Sequence, residues 1–132
     1  MEEQRSSAPQ HTGIRGHRDL EVWKQAMVLV RMIYEATARF PPEERFGLVQ
    51  QMRRAAVSVP SNIAEGAGRG GPREFAHFLS IARGSLSELE TQYLLAREFG
   101  YLDQDDQTMA LISRLFRLLG GVQKTLKNKG NR

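Results

Sequence analysis

The chain has 132 residues, no cysteine and a formal net charge of +4, with a sequence pI near 9.8. Its length suits one domain around one core, and the lack of cysteine excludes disulfides, thiolate metal sites and cysteine nucleophiles. No stretch approaches the roughly 20 apolar residues of a membrane-spanning helix, and the polar start lacks the apolar run of a signal peptide, so the expected location is cytoplasmic.

Residues 1–17 mix Ser, Gln, Gly, Pro and His without periodicity, which reads as a disordered leader outside the fold. From Asp19, a candidate N-cap, Leu20, Trp23, Met27, Val30 and Tyr34 recur at helical spacing and predict a first helix ending near Phe40. Pro41 stops it. Pro42, followed by Glu43 and Glu44, suits the first turn of a second helix, where proline loses no hydrogen bond and carboxylates meet the positive end of the dipole. Leu48, Met52, Ala55, Ala56, Val59 and Ile63 gather on one side of that helix, with Gln50, Gln51, Arg54, Ser58 and Glu65 opposite. Pro60 is expected to remove one backbone hydrogen bond and bend the helix without ending it.

The glycine-rich segment 66–71 breaks the second helix and Pro72 opens a third. Phe75, Phe78, Leu79, Ala82, Leu86, Leu89, Tyr93 and Ala96 form its apolar stripe, and Gly100 is its C-terminal glycine. The small residues Ala82, Gly84 and Ser85 offer a place for close helix contact. Asp103 is a candidate N-cap for a fourth helix over residues 104–127, with Asp105 and Asp106 in its first turn. A basic tail follows at 129–132. Short connections between amphipathic helices predict an all-α, antiparallel up-down-up-down four-helix bundle over residues 18–128.

Two helices are more apolar than one core requires. Leu111, Ile112, Leu115, Phe116, Leu118, Leu119, Val122 and Leu126 cover about half of helix 4, and helix 1 is apolar on more than one side. Burial against another subunit is the expected use of the excess.

The chemistry-bearing patterns are near misses. Gly66-Ala67-Gly68-Arg69-Gly70-Gly71 matches G-x-G-x-x-G, but a helix precedes it where a dinucleotide site needs a strand. Glu74-Phe75-Ala76-His77 has the Glu-x-x-His spacing of a di-iron bundle, yet the remaining histidines, His11 and His17, lie in the leader. No local feature marks a nucleophilic serine, and Glu65, Glu88 and Glu90 read as exposed or structurally paired. The expectation is a protein that is not an enzyme and carries no cofactor or metal.

The basic residues form the positive signal. Arg53, Arg54, Arg69, Arg73 and Arg83 flank the turn between helices 2 and 3, and Arg114, Arg117 and Lys124 fall on one side of helix 4. Such a set tracks phosphates through charge neutralisation and counterion release, with steep salt dependence and little sequence preference. Trp23, Tyr34 and Tyr93 fit the core pattern, so base stacking is not expected.

The run Gln51-Met52-Arg53-Arg54-Ala55-Ala56-Val57-Ser58-Val59-Pro60-Ser61-Asn62-Ile63-Ala64-Glu65-Gly66 is followed by Arg69, Glu74-Phe75 and Ala82-Arg83-Gly84-Ser85-Leu86-Ser87-Glu88-Leu89. Val22-Trp23, Phe40-Pro41 with Glu44, and Phe99-Gly100-Tyr101-Leu102 support it. On these residues the chain resembles the four-helix bundle proteins encoded in intervening sequences of 23S ribosomal RNA genes, over about Leu20 to Leu126. The resemblance implies a barrel-shaped homopentamer. It also implies kinship with accessory proteins of diversity-generating retroelements, which are basic and work with a reverse transcriptase and nucleic acid. Within the motif, Asn62, Glu65, Ser85 and Glu88 are expected to hydrogen-bond across helices 2 and 3 near Pro60, since buried polar groups need partners.

The expected function is an oligomeric protein that binds RNA or DNA through its basic surface, as an accessory to a nucleoprotein or a reverse transcriptase. The alternative is a protein-interaction scaffold that meets an acidic protein without nucleic acid.

Overall fold

The computed structural model describes residues 16–103 and 106–130. Among them are four α-helices and no strand: α1 (Glu21–Thr37), α2 (Leu48–Ala67), α3 (Pro72–Glu98) and α4 (Asp106–Gly130), with 3-10 turns at His17–Asp19 and Pro42–Glu44. None of these helices is long and apolar enough to cross a membrane. The candidate leader falls mostly on residues 1–15, outside the described residues. So does the expected acidic first turn of α4, on residue 105 and the side chain of Asp106, while the candidate N-cap Asp103 is described and exposed.

α2 packs against α1 and α3, and α4 closes the ring against the same two helices. The core between them holds Ala26, Leu29 and Ile33 from α1, Met52, Val59 and Ile63 from α2, Leu79, Leu86 and Leu89 from α3, and Ile112, Leu115 and Leu119 from α4, all fully buried. On α1 the buried line is Val22, Ala26, Leu29, Ile33 and Thr37. The expected line lies to one side of it: Met27 is 45% and Tyr34 42% exposed. Both faces of α1 are apolar, and the face with the slimmer side chains is the one that fits between α2 and α4.

α4 absorbs its own breadth. Its buried residues are joined by Leu111, Phe116, Leu118 and Val122, half-buried against the core, and no large apolar side chain among the described residues of α4 is exposed. The excess apolar surface lies instead on α1, α2 and α3 and beside their turns.

α2 starts later than its prolines suggest. Pro42–Glu44 is a 3-10 turn, and the α-helix begins after Gly47, a residue with poor helix propensity. The Glu44 carboxylate then serves two elements. Its Oε1 accepts the Leu48 backbone N–H at 3.1 Å, and its Oε2 accepts the Tyr101 hydroxyl at 2.9 Å. Gly100, at φ 81°, brings Tyr101 there: Tyr101 N–H donates to Ala96 C=O and Gly100 N–H to Arg97 C=O, the paired bonds of a Schellman C-terminus that favours glycine at this position. The Tyr101 ring packs 5.3 Å from Phe40 and 5.6 Å from Phe99. Phe40-Pro41 with Glu44 and Phe99-Gly100-Tyr101, distant in sequence, are thus one cluster.

α2 runs unbroken through Pro60, as expected. It comes close to α3 at Gly66, where an added Cβ would lie 2.8 Å from Phe78 Cβ and 3.0 Å from Phe75 Cδ1. Gly84 has no such role, because nothing lies within 4 Å of a Cβ built there. Gly66→Ala is therefore expected to destabilise by about 1–3 kcal/mol through overpacking, although alanine gains about 1 kcal/mol of helix propensity. Gly84→Ala should stabilise by about 0.5–1 kcal/mol. Urea denaturation of the two variants should give shifts of opposite sign.

The Tyr101 hydroxyl is held above the ordinary tyrosine range, first by its bond to Glu44, then by burial and by the nearby charges of Glu44 and Glu43. A raised folded value means that its contribution to stability is whole below the unfolded tyrosine value of about 10 and is lost as pH rises through the folded value. Wild-type stability should therefore fall more steeply than that of Tyr101→Phe above pH ~10. Denaturation midpoints of both proteins across that range check it; parallel curves would remove the coupling.

Candidate nucleic-acid interface

The sequence-predicted cations separate into two kinds. Arg53 is a clasp between helices: its Nε donates to Thr37 Oγ1 at 2.9 Å, its Nη2 to Tyr34 C=O at 3.2 Å, and its guanidinium lies 4.4 Å from the Tyr34 ring centroid. Thr37, buried near the end of α1, passes its own hydroxyl hydrogen to Ile33 C=O at 2.7 Å. Arg53 thus satisfies carbonyl and hydroxyl acceptors at a helix C-terminus, where a cation is favoured. Arg69 is also engaged. It pairs with Glu65 at 2.8 Å and faces Glu74 at 3.6 Å, while lying 5.0 Å from the Phe78 ring centroid.

The α2–α3 turn does not collect all five arginines. Arg53 and Arg54 lie about 20 Å along α2 from Arg69, given ~1.5 Å of rise per residue, beside the end of α1. Arg54 is exposed there.

The remaining cations lie at the seam between α3 and α4 or beside it. Arg83 Nη1 donates to Gln123 Oε1 at 3.3 Å, Gln123 Nε2 donates to Ser80 Oγ at 3.2 Å, and the Arg83 guanidinium lies 5.8 Å from the Phe116 ring centroid. Phe116 and Gln123 therefore mark the edge of α4 that meets α3. Arg117 and Lys124 each follow one of them by one residue and are exposed. Near the start of α3, a hollow of about 660 Å³ is lined by Arg73, Glu74, Ser80, Gln123 and Lys127, among others, with Glu74 turned to Arg69. Arg73, Arg83 and Lys127 lie along this seam, Arg117 and Lys124 follow on the outer side of α4 beyond it, and among the described residues none of these five cations has a carboxylate partner. Lys127 is the member absent from the set of cations that the sequence pointed to. Arg114 lies further round α4, exposed.

The polar motif of α2 and α3 centres on Ser58, a residue the helical wheel assigned to the outer face. Ser58 Oγ and Ser85 Oγ are hydrogen-bonded at 2.8 Å, and Asn62 Nδ2 donates to both Ser58 C=O at 2.8 Å and Ser58 Oγ at 2.9 Å. Asn62 and Ser85 therefore join the two helices through Ser58. Glu65 turns along its own helix to Arg69, and Glu88 is exposed.

The near-miss motifs resolve as local structure. Gly66 lies inside α2, Gly68 caps it, Gly70 has φ 90°, and Gly71 precedes α3, so the glycine-rich segment is a helix-to-helix turn. Glu74 faces Arg69, while the exposed His77 ring packs edge-on to Phe78 at 5.3 Å. Among the described residues no group of three or more His, Cys, Asp and Glu side chains is placed to hold a metal ion.

Truncating the clasp should differ sharply from truncating an unpaired cation of the seam. Arg53→Ala is expected to lower stability by about 1–3 kcal/mol, removing the donor to the buried Thr37 hydroxyl, a second bond to Tyr34 C=O and the contact with the Tyr34 ring. Arg73→Ala should stay within about 0.5 kcal/mol. Denaturant titration followed by far-ultraviolet circular dichroism measures both.

No curated protein matches the chain. The family model for the 23S rRNA-intervening sequence protein matches residues 18–121, a span that runs from the His17–Asp19 turn through most of α4 and takes in the Ser58 lock, the Arg53 clasp and the Glu44–Tyr101 cluster. The chain belongs to the 23S rRNA-intervening sequence protein family.

Proposed function

We propose that this chain is a non-catalytic subunit of a cytoplasmic, oligomeric protein that binds RNA or DNA through the seam between α3 and α4. The observation that carries the reading is the set of Arg73, Arg83, Arg117, Lys124 and Lys127, free of carboxylate partners among the described residues. Unpaired, exposed cations on one side of the subunit cost little to hold apart in water, and they become favourable when a polyanion replaces their counterions. Exposed guanidinium and ammonium groups match phosphate oxygens without reading base edges. Work beside a reverse transcriptase is one form of this reading.

Consecutive helices are read as antiparallel, in an up-down-up-down order. The register of α2 and α3 supports it, since Ser58 meets Ser85 whereas Gly66, further along α2, meets Phe75 and Phe78, earlier in α3. Self-association, to a pentamer as the family resemblance implies, is supported by the exposed apolar side chains of α1 and α3.

Binding of a structured RNA and of duplex DNA should fall with salt, with a log–log slope of about −4.5 for duplex if all five of these cations meet phosphates. Arg73→Gln and Lys124→Gln should each reduce that slope by about 1, while Arg54→Gln leaves it unchanged. Affinity that is absent at low salt, or indifferent to salt, would sink the proposal. Capture of a protein partner that survives nuclease treatment, without such affinity, would favour an acidic protein as ligand.

A further inference from the structure

Two exposed surfaces of the chain complement each other. The first is a groove of about 500 Å³ between α1 and α2, lined by Tyr34, Arg45, Phe46, Val49, Arg53, Arg54 and their neighbours, with no carboxylate among its lining residues. Phe46 is 83% exposed, far beyond any other large apolar residue here, and Val57 at the same groove is 39% exposed. Arg53 meets only uncharged acceptors and a ring, so its charge stays uncancelled. Arg45 lies against Phe46 at 5.8 Å, and Arg54 is exposed. The groove is apolar in its floor and cationic at its rim.

The second surface is a strip on α3. Ile81, Glu88 and Leu95 follow one another at seven-residue intervals and Phe99 lies four further on, a spacing that keeps them on one side of a helix. Ile81, Leu95 and Phe99 are 40%, 44% and 55% exposed. Glu88, within the strip, and Glu98, beside Leu95 and Phe99, are exposed and carry no ion pair among the described residues. The strip is apolar and anionic, the reverse of the groove's charge. It also lies away from the cationic seam, since Ile81 and Arg83 are two residues apart and point about 200° from each other around the helix.

We infer that the α1–α2 groove receives the α3 strip of a second copy of this chain. This rests on the self-association proposed above and names the surfaces that make it. Leu95 and Phe99 would cover Tyr34, Phe46 and Val57, and Glu88 and Glu98 would face Arg45 and Arg54. Because the two surfaces differ, the contact is heterologous: each subunit offers its groove to one neighbour and its strip to another, an arrangement that closes into a ring or continues as a filament.

Light scattering on the full chain at micromolar concentration tests the inference, with circular dichroism to show that each variant is folded. Wild type is expected at a multiple of 14.9 kDa. Arg45→Glu with Arg54→Glu in one chain, and Glu88→Arg with Glu98→Arg in another, should each weaken assembly by on the order of ten-fold or more. Mixing these two variants should restore larger species, because every groove then meets a strip of opposite charge. An assembled wild type whose mass neither variant changes would overturn the pairing of surfaces and leave self-association standing. A monomeric wild type would remove both.

Discussion

The close approach of α2 and α3 sets the frame on which the other helices settle. Gly66 has no room for even a methyl group against Phe75 and Phe78, and eight residues earlier Ser58 meets Ser85 oxygen to oxygen at 2.8 Å. The two contacts fix different things. Packing at Gly66 fixes distance without strongly fixing register, because apolar contacts are non-directional. The hydroxyl pair fixes register, since sliding either helix by one turn would leave partly buried hydroxyls unpaired, at a cost of about 1–3 kcal/mol. Asn62 strengthens that choice by holding Ser58 from the following turn of the same helix. Pro60 sits between Ser58 and Asn62, and its missing N–H deprives the Ala56 carbonyl of its usual donor; the side-chain bonds here add order where the backbone ladder is interrupted.

With that pair fixed, the ends of α1 and α3 are tied down by side chains rather than by helix caps. Glu44 receives both the first N–H of α2 and the hydroxyl that follows α3, so one carboxylate starts one helix and anchors the exit from another. Arg53 performs the complementary task at the end of α1, donating to the Thr37 hydroxyl and adding a second bond to Tyr34 C=O. Both ties lie at the same region of α2, near its beginning. The turn from α2 to α3 needs no comparable device, because its glycines make the turn directly and Gly66 lets the helices come close.

The four helices were legible because apolar periodicity is a long-range signal repeated in every turn, and prolines and glycines punctuated it at 41, 60, 66–72 and 100. Finer assignments failed where the sequence offered two equivalent answers. α1 has two apolar faces, and only the space left by α2 and α4 selects Val22, Ala26, Leu29 and Ile33 over Met27 and Tyr34. Gly66 and Gly84 look alike as small residues in helices, yet only one faces another helix. Ser58 was assigned outward because its partner is twenty-seven residues away, and a wheel drawn for one helix cannot contain it. The arginines show the same limit: Arg53 and Arg54 are adjacent in sequence, but one is fastened to the end of α1 and the other remains in water.

That sorting of arginines gives the surface a division of labour. Glu65 and Glu74 cancel Arg69, and α1 occupies Arg53, so charge near the α2–α3 turn is consumed within the subunit. Along the α3–α4 seam it is not consumed. On the proposed reading a polyanion would meet the seam, while the apolar groove and strip lie on other faces of α2 and α3. If subunits associate through those faces, the seam of every subunit stays open to solvent. Each additional subunit then presents another weak cationic surface to the same nucleic acid, and surfaces linked at fixed spacing gain effective concentration that separate chains lack. On the proposed reading, the modest phosphate affinity that five exposed cations supply per subunit at physiological salt would become useful binding only in an assembly, and the apolar and basic surfaces would then serve one another.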